Sequence, residues 1–369
     1  MRNASPSSKS AAWNSLAALS AAYPDLGPAL TRTILARAHA FMTGVSLYQK
    51  HPVRRGPEDA PVLWSAGSTK LRDYAPQAQG APVILVVPSL INRFTILDLM
   101  PNHSLLRFLA ARGFRPLVLD WDAPSNEEKS FGFEAYVLDR LIPALRIASL
   151  AGPAHVVGYC MGGNLALALT ALAAPSVRTL TLLSTPWDFH AGYQAMGEDG
   201  AFLDALLPSW TAGFDCLPVE FVQSIFSAFQ PLQAFRKFSS FAALDPSSVE
   251  AARFVLTEDW LNDGVPLTLP AARESFGSWG ARNDMAKGRW GVAGKTIDPT
   301  SIDHPAYVVV PDRDRIVPPQ SAMPLAQALP NATYVEPTMG HVGIMAGADA
   351  PTKVWEPLAA WIRGYSLTQ

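Results

Sequence analysis

Gly158-Tyr159-Cys160-Met161-Gly162 places a thiol in a turn flanked by two residues that have no side chain. The apolar run before it, from His155, reads as a buried strand, and the Ala/Leu-rich residues after it read as a helix. Cys160 thus lies at the tip of a strand-turn-helix. A residue at such a tip has a strained backbone, and a Cβ at Gly158 or Gly162 would collide with the neighbouring strand and helix. The start of the helix offers free N–H groups and the positive end of its dipole, which favour thiolate over thiol and can hold an oxyanion. A free cysteine is just as commonly a small core residue, so the residues further along the chain decide the reading. Asp312 and Asp314 lie in Val310-Pro311-Asp312-Arg313-Asp314-Arg315-Ile316-Val317-Pro318, and His341 lies in Met339-Gly340-His341-Val342-Gly343. A thiol nucleophile needs a base to take its proton, and the base needs an acid to fix its tautomer and stabilise the imidazolium. Cys160, His341 and Asp314 fit those roles; Asp312 is the rival acid, although next to Pro311 it can simply cap the turn.

The remaining candidates are weaker. Of the seven histidines only His341 sits in a Gly-His turn after the last predicted strand. His155 and His304 read as structural and lack metal-ligand spacing, so no metal is expected. Asp188 follows a strand on the same side as Cys160 and serves as a second acid or as a loop-fixing residue. Cys216 has no acid-base motif around it and reads as buried and structural.

The elements that must position these residues alternate between strand and helix. Strands are expected near residues 62–64, 83–87, 116–119, 155–159, 179–183, 306–310 and 333–336, and helices near 105–112, 131–150, 321–328 and 353–362. Apolar runs such as Val83-Ile84-Leu85-Val86-Val87 suit central parallel strands covered on both faces. Nucleophile, acid and histidine in that order belong to an α/β-hydrolase fold: a mainly parallel central sheet with helices on both faces. In that fold the loop Pro88-Ser89-Leu90-Ile91-Asn92-Arg93 contributes a backbone N–H, from Leu90 or Ile91, to an oxyanion hole shared with Met161. Four segments are expected: an N-terminal helical extension (1–50), the first part of the core (51–189), a helical lid insertion (190–296) and the rest of the core (297–369). The extension reads as helices over 11–22 and 29–48, with Arg32 and Arg37 on a solvated face. The lid reads as helices near 219–229 and 249–261. Its aromatic residues Phe202, Phe214, Phe221, Phe226, Phe229 and Trp260 mostly pack its own core, and some lid residues line an acyl tunnel.

Composition narrows the class. With 369 residues, 49% hydrophobic and 16% charged, the chain can build one large core with an insertion. A net charge of -2 gives no reason to expect nucleic acid or an anionic membrane as partner. Two cysteines make no disulfide framework, and a reactive one is easiest to keep reduced in the cytoplasm. No apolar run reaches the length of a membrane span, and residues 1–10 lack the apolar centre of a signal peptide. A cytoplasmic protein without a transmembrane segment is expected.

Thiolate is a better leaving group than alkoxide, so a cysteine enzyme exchanges acyl groups readily with thioesters. In these motifs the chain resembles the poly(3-hydroxyalkanoate) synthases. Gly158-Tyr159-Cys160-Met161-Gly162-Gly163 is similar to their lipase-like box with Cys for Ser, Asp314-Arg315-Ile316-Val317-Pro318 to their Asp-x-Ile-Val-Pro segment, and Gly340-His341 to their Gly-His. Pro88-Ser89-Leu90-Ile91-Asn92, Ile96-Leu97-Asp98-Leu99, Asp120-Trp121, Thr185-Pro186-Trp187-Asp188-Phe189 and Trp260-Leu261-Asn262-Asp263 extend the likeness over residues 81–344. The resemblance implies polymerisation of (R)-3-hydroxyacyl-CoA, with Cys160 carrying the growing polyester, His341 activating Cys160 or the incoming hydroxyl, and Asp314 supporting His341. It implies no cofactor, the CoA thioester being substrate. In length the chain resembles the catalytic subunits that work with a separate partner subunit, so a homo- or hetero-oligomer at a granule surface is expected. Ser184-Thr185-Pro186-Trp187 departs from the usual Thr/Leu-rich sequence before that Asp. Two other readings stand beside the first: a thioesterase, esterase or polymer hydrolase, if water reaches the acyl-cysteine, and a non-catalytic granule-surface or partner-binding protein.

Overall fold

The computed structural model describes residues 22–366 apart from 24, 57–58, 193–204, 206–207, 210 and 230–231. These residues form two compact units, one of residues 54–229 and 256–369, the other of residues up to 53 together with 230–255.

The larger unit carries an eight-stranded sheet. In chain order its strands are β1 (Val62–Ala66), β2 (Thr69–Asp73), β3 (Val83–Val87), β4 (Arg115–Asp120), β5 (Ala154–Tyr159), β6 (Val177–Leu183), β7 (Ala306–Val309) and β8 (Ala332–Val335). Across the sheet they run β1-β2-β4-β3-β5-β6-β7-β8. β2 pairs antiparallel with both β1 and β4, and every other pairing is parallel. Consecutive residues Ile84, Leu85, Val86 and Val87 are all fully buried, and since alternate residues point to opposite faces, both faces of the sheet centre are covered. Helices Leu105–Ala111, Met161–Leu172 and Pro319–Ala328 join the parallel strands. This is the expected α/β-hydrolase architecture. Residues 161–170 of the helix after β5 are all buried, which explains why that helix is apolar all round instead of amphipathic.

The structure adds elements that the sequence pattern hides. β2 lies where the sequence suggests a loop, because Lys70 and Arg72 interrupt it; they point outward from an alternating strand and pair with Asp122 and Asp120, while Thr69, Leu71 and Asp73 are buried. The helix expected over 131–150 runs from Phe133 to Ala148 with a π-helical stretch, Val137–Leu141, inside it. Between β6 and β7, helix Val219–Phe229 and the start of a second at Val249 agree with expectation, and helix Leu269–Arg273 continues into a π-helix, Glu274–Ala281.

The smaller unit is built on helix Leu26–Lys50 and helix Gln233–Phe241. Phe41 stacks on Phe235 with ring centroids 5.3 Å apart, and Phe241, Ala251 and Val255 are buried against Leu47, Tyr48, Val53 and Phe254. Arg32 and Arg37 are exposed, as a solvated helix face requires. The helix expected over 11–22 falls outside the described residues but for its last position. Among the described residues no helix is long and apolar enough to cross a membrane.

Candidate active site

β5 ends at Tyr159, and the chain turns sharply at Cys160, whose φ of 55° lies in the left-handed region. The turn is held by main-chain bonds: Cys160 N–H donates to Leu183 O of β6 at 2.9 Å, and Cys160 O accepts from Gly163 N–H at 2.9 Å. A Cβ at Gly158 would run into the Gly163 backbone, one at Gly162 into the Val87 carbonyl, and one at Gly163 into the Thr185 side chain. The three glycines let helix Met161–Leu172 start directly against β3 and β5, leaving Cys160 half-buried at the tip.

The loop after β7 supplies the acid. Asp314 Oδ1 accepts from the main-chain N–H groups of Ile316 and Val317, at 2.9 and 2.8 Å, while Oδ2 accepts from His341 Nδ1 at 2.7 Å. With its side chain wholly out of solvent, the carboxylate is oriented by backbone on one oxygen and left to orient the imidazole with the other. Asp312 is exposed, and its main-chain N–H is spent on Pro337 O. Burial alone would depress the basicity of His341, but the Asp314 carboxylate and Cys160, through charge and hydrogen bonding, outweigh it and push the pKa up to about 10. The structure therefore brings Cys160, His341 and Asp314 together and leaves Asp312 outside. It adds Tyr159, which reads in the sequence only as the last apolar residue of a strand: its ring stacks on the His341 imidazole, with centroids 5.3 Å apart, and its hydroxyl donates to His341 O at 3.2 Å.

A cavity opens beside Cys160, lined among others by Ile91, Met161, Phe189, Phe276 and Trp279. Met161 and Ile91, two of the expected oxyanion residues, both line it; Leu90 is buried, and Ile91 N–H donates to Ser89 Oγ at 3.3 Å. Asp188 Oδ1 accepts from the N–H groups of His190 and Ala191, at 2.9 and 3.1 Å, and from Asn283 Nδ2 at 2.8 Å. Asn283 Oδ1 in turn accepts from Phe189 N–H at 3.0 Å. These bonds tie Asp188, Phe189, His190 and Ala191 to Asn283, and Phe189 lines the cavity.

Three of the aromatic residues singled out from the sequence have side chains among the described residues. Phe214 is exposed, Phe221 packs on the core, and Trp260 is buried with its indole N–H on Arg93 O at 2.7 Å. Phe202 and the side chains of Phe226 and Phe229 lie outside the described residues. Phe276 and Trp279 line the cavity, carried there by the π-helix, whose sequence is interrupted by Gly277, Ser278 and Gly280. Cys216 is half-buried in a short antiparallel pairing of Cys216–Leu217 with Leu267–Thr268, and burial pushes its thiol pKa up. His155 is held between Thr179 Oγ1 and Ser366 Oγ, at 2.8 and 3.0 Å, and His304 Nε2 bonds Ala174 O at 3.0 Å, both structural placements. Among the described residues no cluster of His, Cys, Asp and Glu could hold a metal ion.

Comparison with known proteins agrees with this architecture. The family model described as alpha/beta hydrolase fold matches residues 82–348. The poly(3-hydroxyalkanoate) polymerase subunit PhaC of Haloferax mediterranei is 27% identical over 297 residues, which make up 77% of this chain and 59% of that protein. The chain thus spans about three-fifths of that relative's length. The polymerase subunit of the same name from Allochromatium vinosum is 26% identical over 345 residues, 89% of this chain and 91% of that one. Among solved structures, an esterase from Thermogutta terrifontis superposes with a TM-score of 0.52 at 18% identity, covering 85% of this chain and 100% of its own. The thioesterase domain from the curacin biosynthetic pathway gives a TM-score of 0.51 at 16% identity, covering 84% of this chain and 100% of its own. At those identities the two structures speak to the fold.

Proposed function

Since the chain belongs to the alpha/beta hydrolase fold family, we propose that it is an acyltransferase of that fold which polymerises (R)-3-hydroxyacyl-CoA into polyhydroxyalkanoate through an acyl-Cys160 intermediate. The observation that carries the reading is the line from Asp314 through His341 to Cys160, with the thiol at a strained turn beside an apolar cavity. The polymerase relatives support the substrate.

In this reading the thiol proton passes to His341, whose basicity the neighbouring carboxylate raises, and Cys160 Sγ attacks the thioester carbonyl. The oxyanion that forms is met by Met161 N–H at the helix start and by an amide of the Leu90-Ile91 loop. As the C–S bond to CoA breaks, His341 returns its proton to the departing thiolate, leaving the acyl group on Cys160. The hydroxyl of the next hydroxyacyl group then gives its proton to His341 and attacks the acyl-cysteine carbonyl. The ester bond forms, the Cys160 C–S bond breaks, and the proton goes back to the thiolate. The imidazolium that appears twice is stabilised by Asp314. The apolar wall of Ile91, Phe189, Phe276 and Trp279 accommodates the acyl chain and keeps water off the acyl-cysteine, which favours transfer over hydrolysis. The CoA thioester is the only non-protein group the chemistry requires. A separate synthase subunit, a cytoplasmic location and a place at the granule surface belong to the same reading.

The test is to supply purified protein with (R)-3-hydroxybutyryl-CoA and longer homologues, follow CoA release and identify the product. Polymer is expected; free 3-hydroxy acid formed in step with CoA would make the protein a thioesterase.

A further inference from the structure

We infer that Tyr159 is a positioning residue for His341, anchoring the main chain of the histidine loop through its hydroxyl and fixing the plane of the imidazole by stacking. The Asp314 bond holds one edge of the imidazole but leaves the ring free to rotate about the Nδ1–Oδ2 line. The Tyr159 ring, tilted 29° from the imidazole with centroids 5.3 Å apart, removes that freedom. The hydroxyl is buried and needs a partner; it finds His341 O at 3.2 Å and so ties the loop itself to β5. Tyr159 is the residue before Cys160 and pairs with Leu183 of β6, so one rigid strand sets the nucleophile and the base against each other. An aromatic face beside an imidazole also stabilises the ring when it is protonated. Among the described residues, Asp314, Cys160 and Tyr159 are ionisable groups set against His341, and burial beside Cys160 and Asp314 keeps the phenol protonated far above the ordinary tyrosine range. The inference rests on the pairing of Cys160 with His341, and needs no particular acyl substrate.

The test compares Tyr159→Phe and Tyr159→Leu in a Cys216→Ala background. It measures kcat and KM, circular dichroism, and the pH dependence of iodoacetamide alkylation of Cys160 in the absence of substrate. The Phe variant keeps the stack and loses the anchor: kcat is expected to fall about fivefold, with KM and the alkylation midpoint unmoved. The Leu variant loses both: kcat falls about a hundredfold, and the alkylation midpoint rises by about one pH unit, because the thiolate then pairs with a less stabilised imidazolium. A folded Leu variant with an unmoved midpoint, or losses confined to KM, would overturn the inference. If the Leu variant does not fold, the Phe variant decides, and wild-type kcat there sinks the anchoring role. Should wild-type protein release no CoA from hydroxyacyl-CoA, the substrate reading fails separately, and the alkylation midpoints of the folded variants still decide the role of Tyr159.

Discussion

Asp314 and His341, 27 residues apart in sequence, meet through a 2.7 Å hydrogen bond with both side chains almost wholly removed from solvent. Asp314→Asn keeps the shape of the acid but presents an amide that cannot stabilise the imidazolium and favours the wrong tautomer. Single-turnover acylation should slow by orders of magnitude, with circular dichroism unchanged. Asp312→Asn alters an exposed side chain and should cost less than about 0.5 kcal/mol of stability and little rate. A crippled Asp312 variant beside an active Asp314 variant would move the acid by two residues.

The two cysteines should separate cleanly. Cys160→Ala is expected to abolish turnover and Cys160→Ser to slow it by orders of magnitude, since the hydroxyl is a poorer nucleophile and leaving group with the same base. Cys216→Ala should retain most activity, because burial raises that thiol's pKa and so keeps it from acting as a thiolate. Equal losses at both positions would give Cys216 a role that its surroundings do not suggest.

Phe276 and Trp279 set one wall of the cavity beside Cys160. Phe276→Ala enlarges it and should raise the ratio of kcat/KM for 3-hydroxyhexanoyl-CoA over 3-hydroxybutyryl-CoA by about tenfold, the scale of a methylene or two in an apolar pocket. An unchanged ratio would place the acyl group elsewhere.

His341 also makes stability depend on pH. Its pKa is raised to about 10 in the folded protein, above an unfolded value of about 6.5. Its contribution is therefore fully present below pH 6.5 and is lost as pH rises towards and through 10. The melting temperature of the wild type should fall across that interval, and His341→Gln should lack this part of the slope. His155 runs the other way. Burial lowers its pKa to about 4, so its contribution is present above about pH 6.5 and lost as pH falls through 4, on the order of 3 kcal/mol in all. In wild-type protein, acid should narrow the stability advantage over His155→Asn.

The parts of the site that were legible in the sequence are those whose physics is local. Gly158, Gly162 and Gly163 surround Cys160 because the turn admits no Cβ, and that requirement appears as a motif. The continuous apolar run Val83-Ile84-Leu85-Val86-Val87 announces a strand covered on both faces. β2 escaped because Lys70 and Arg72 are offset by Asp122 and Asp120, partners about fifty residues away. Phe276 and Trp279 are three residues apart, as one helix face requires, but Gly277, Ser278 and Gly280 interrupt the pattern, so the segment does not announce itself as a helix. Tyr159 escaped because its partner is a main-chain carbonyl 182 residues away in sequence.

The central claim is a covalent acyl group on Cys160 that passes to a hydroxyl. The most direct measurement mixes the protein with (R)-3-hydroxybutyryl-CoA, quenches in acid within the first turnovers, and maps the added mass by peptide mass spectrometry while CoA and product are quantified. The account predicts 3-hydroxybutyryl or its oligomers on the peptide containing Cys160, lengthening with time, and CoA release without matching free acid. An unmodified Cys160 during CoA release, acyl mass on another residue, or free acid equal to CoA would contradict it.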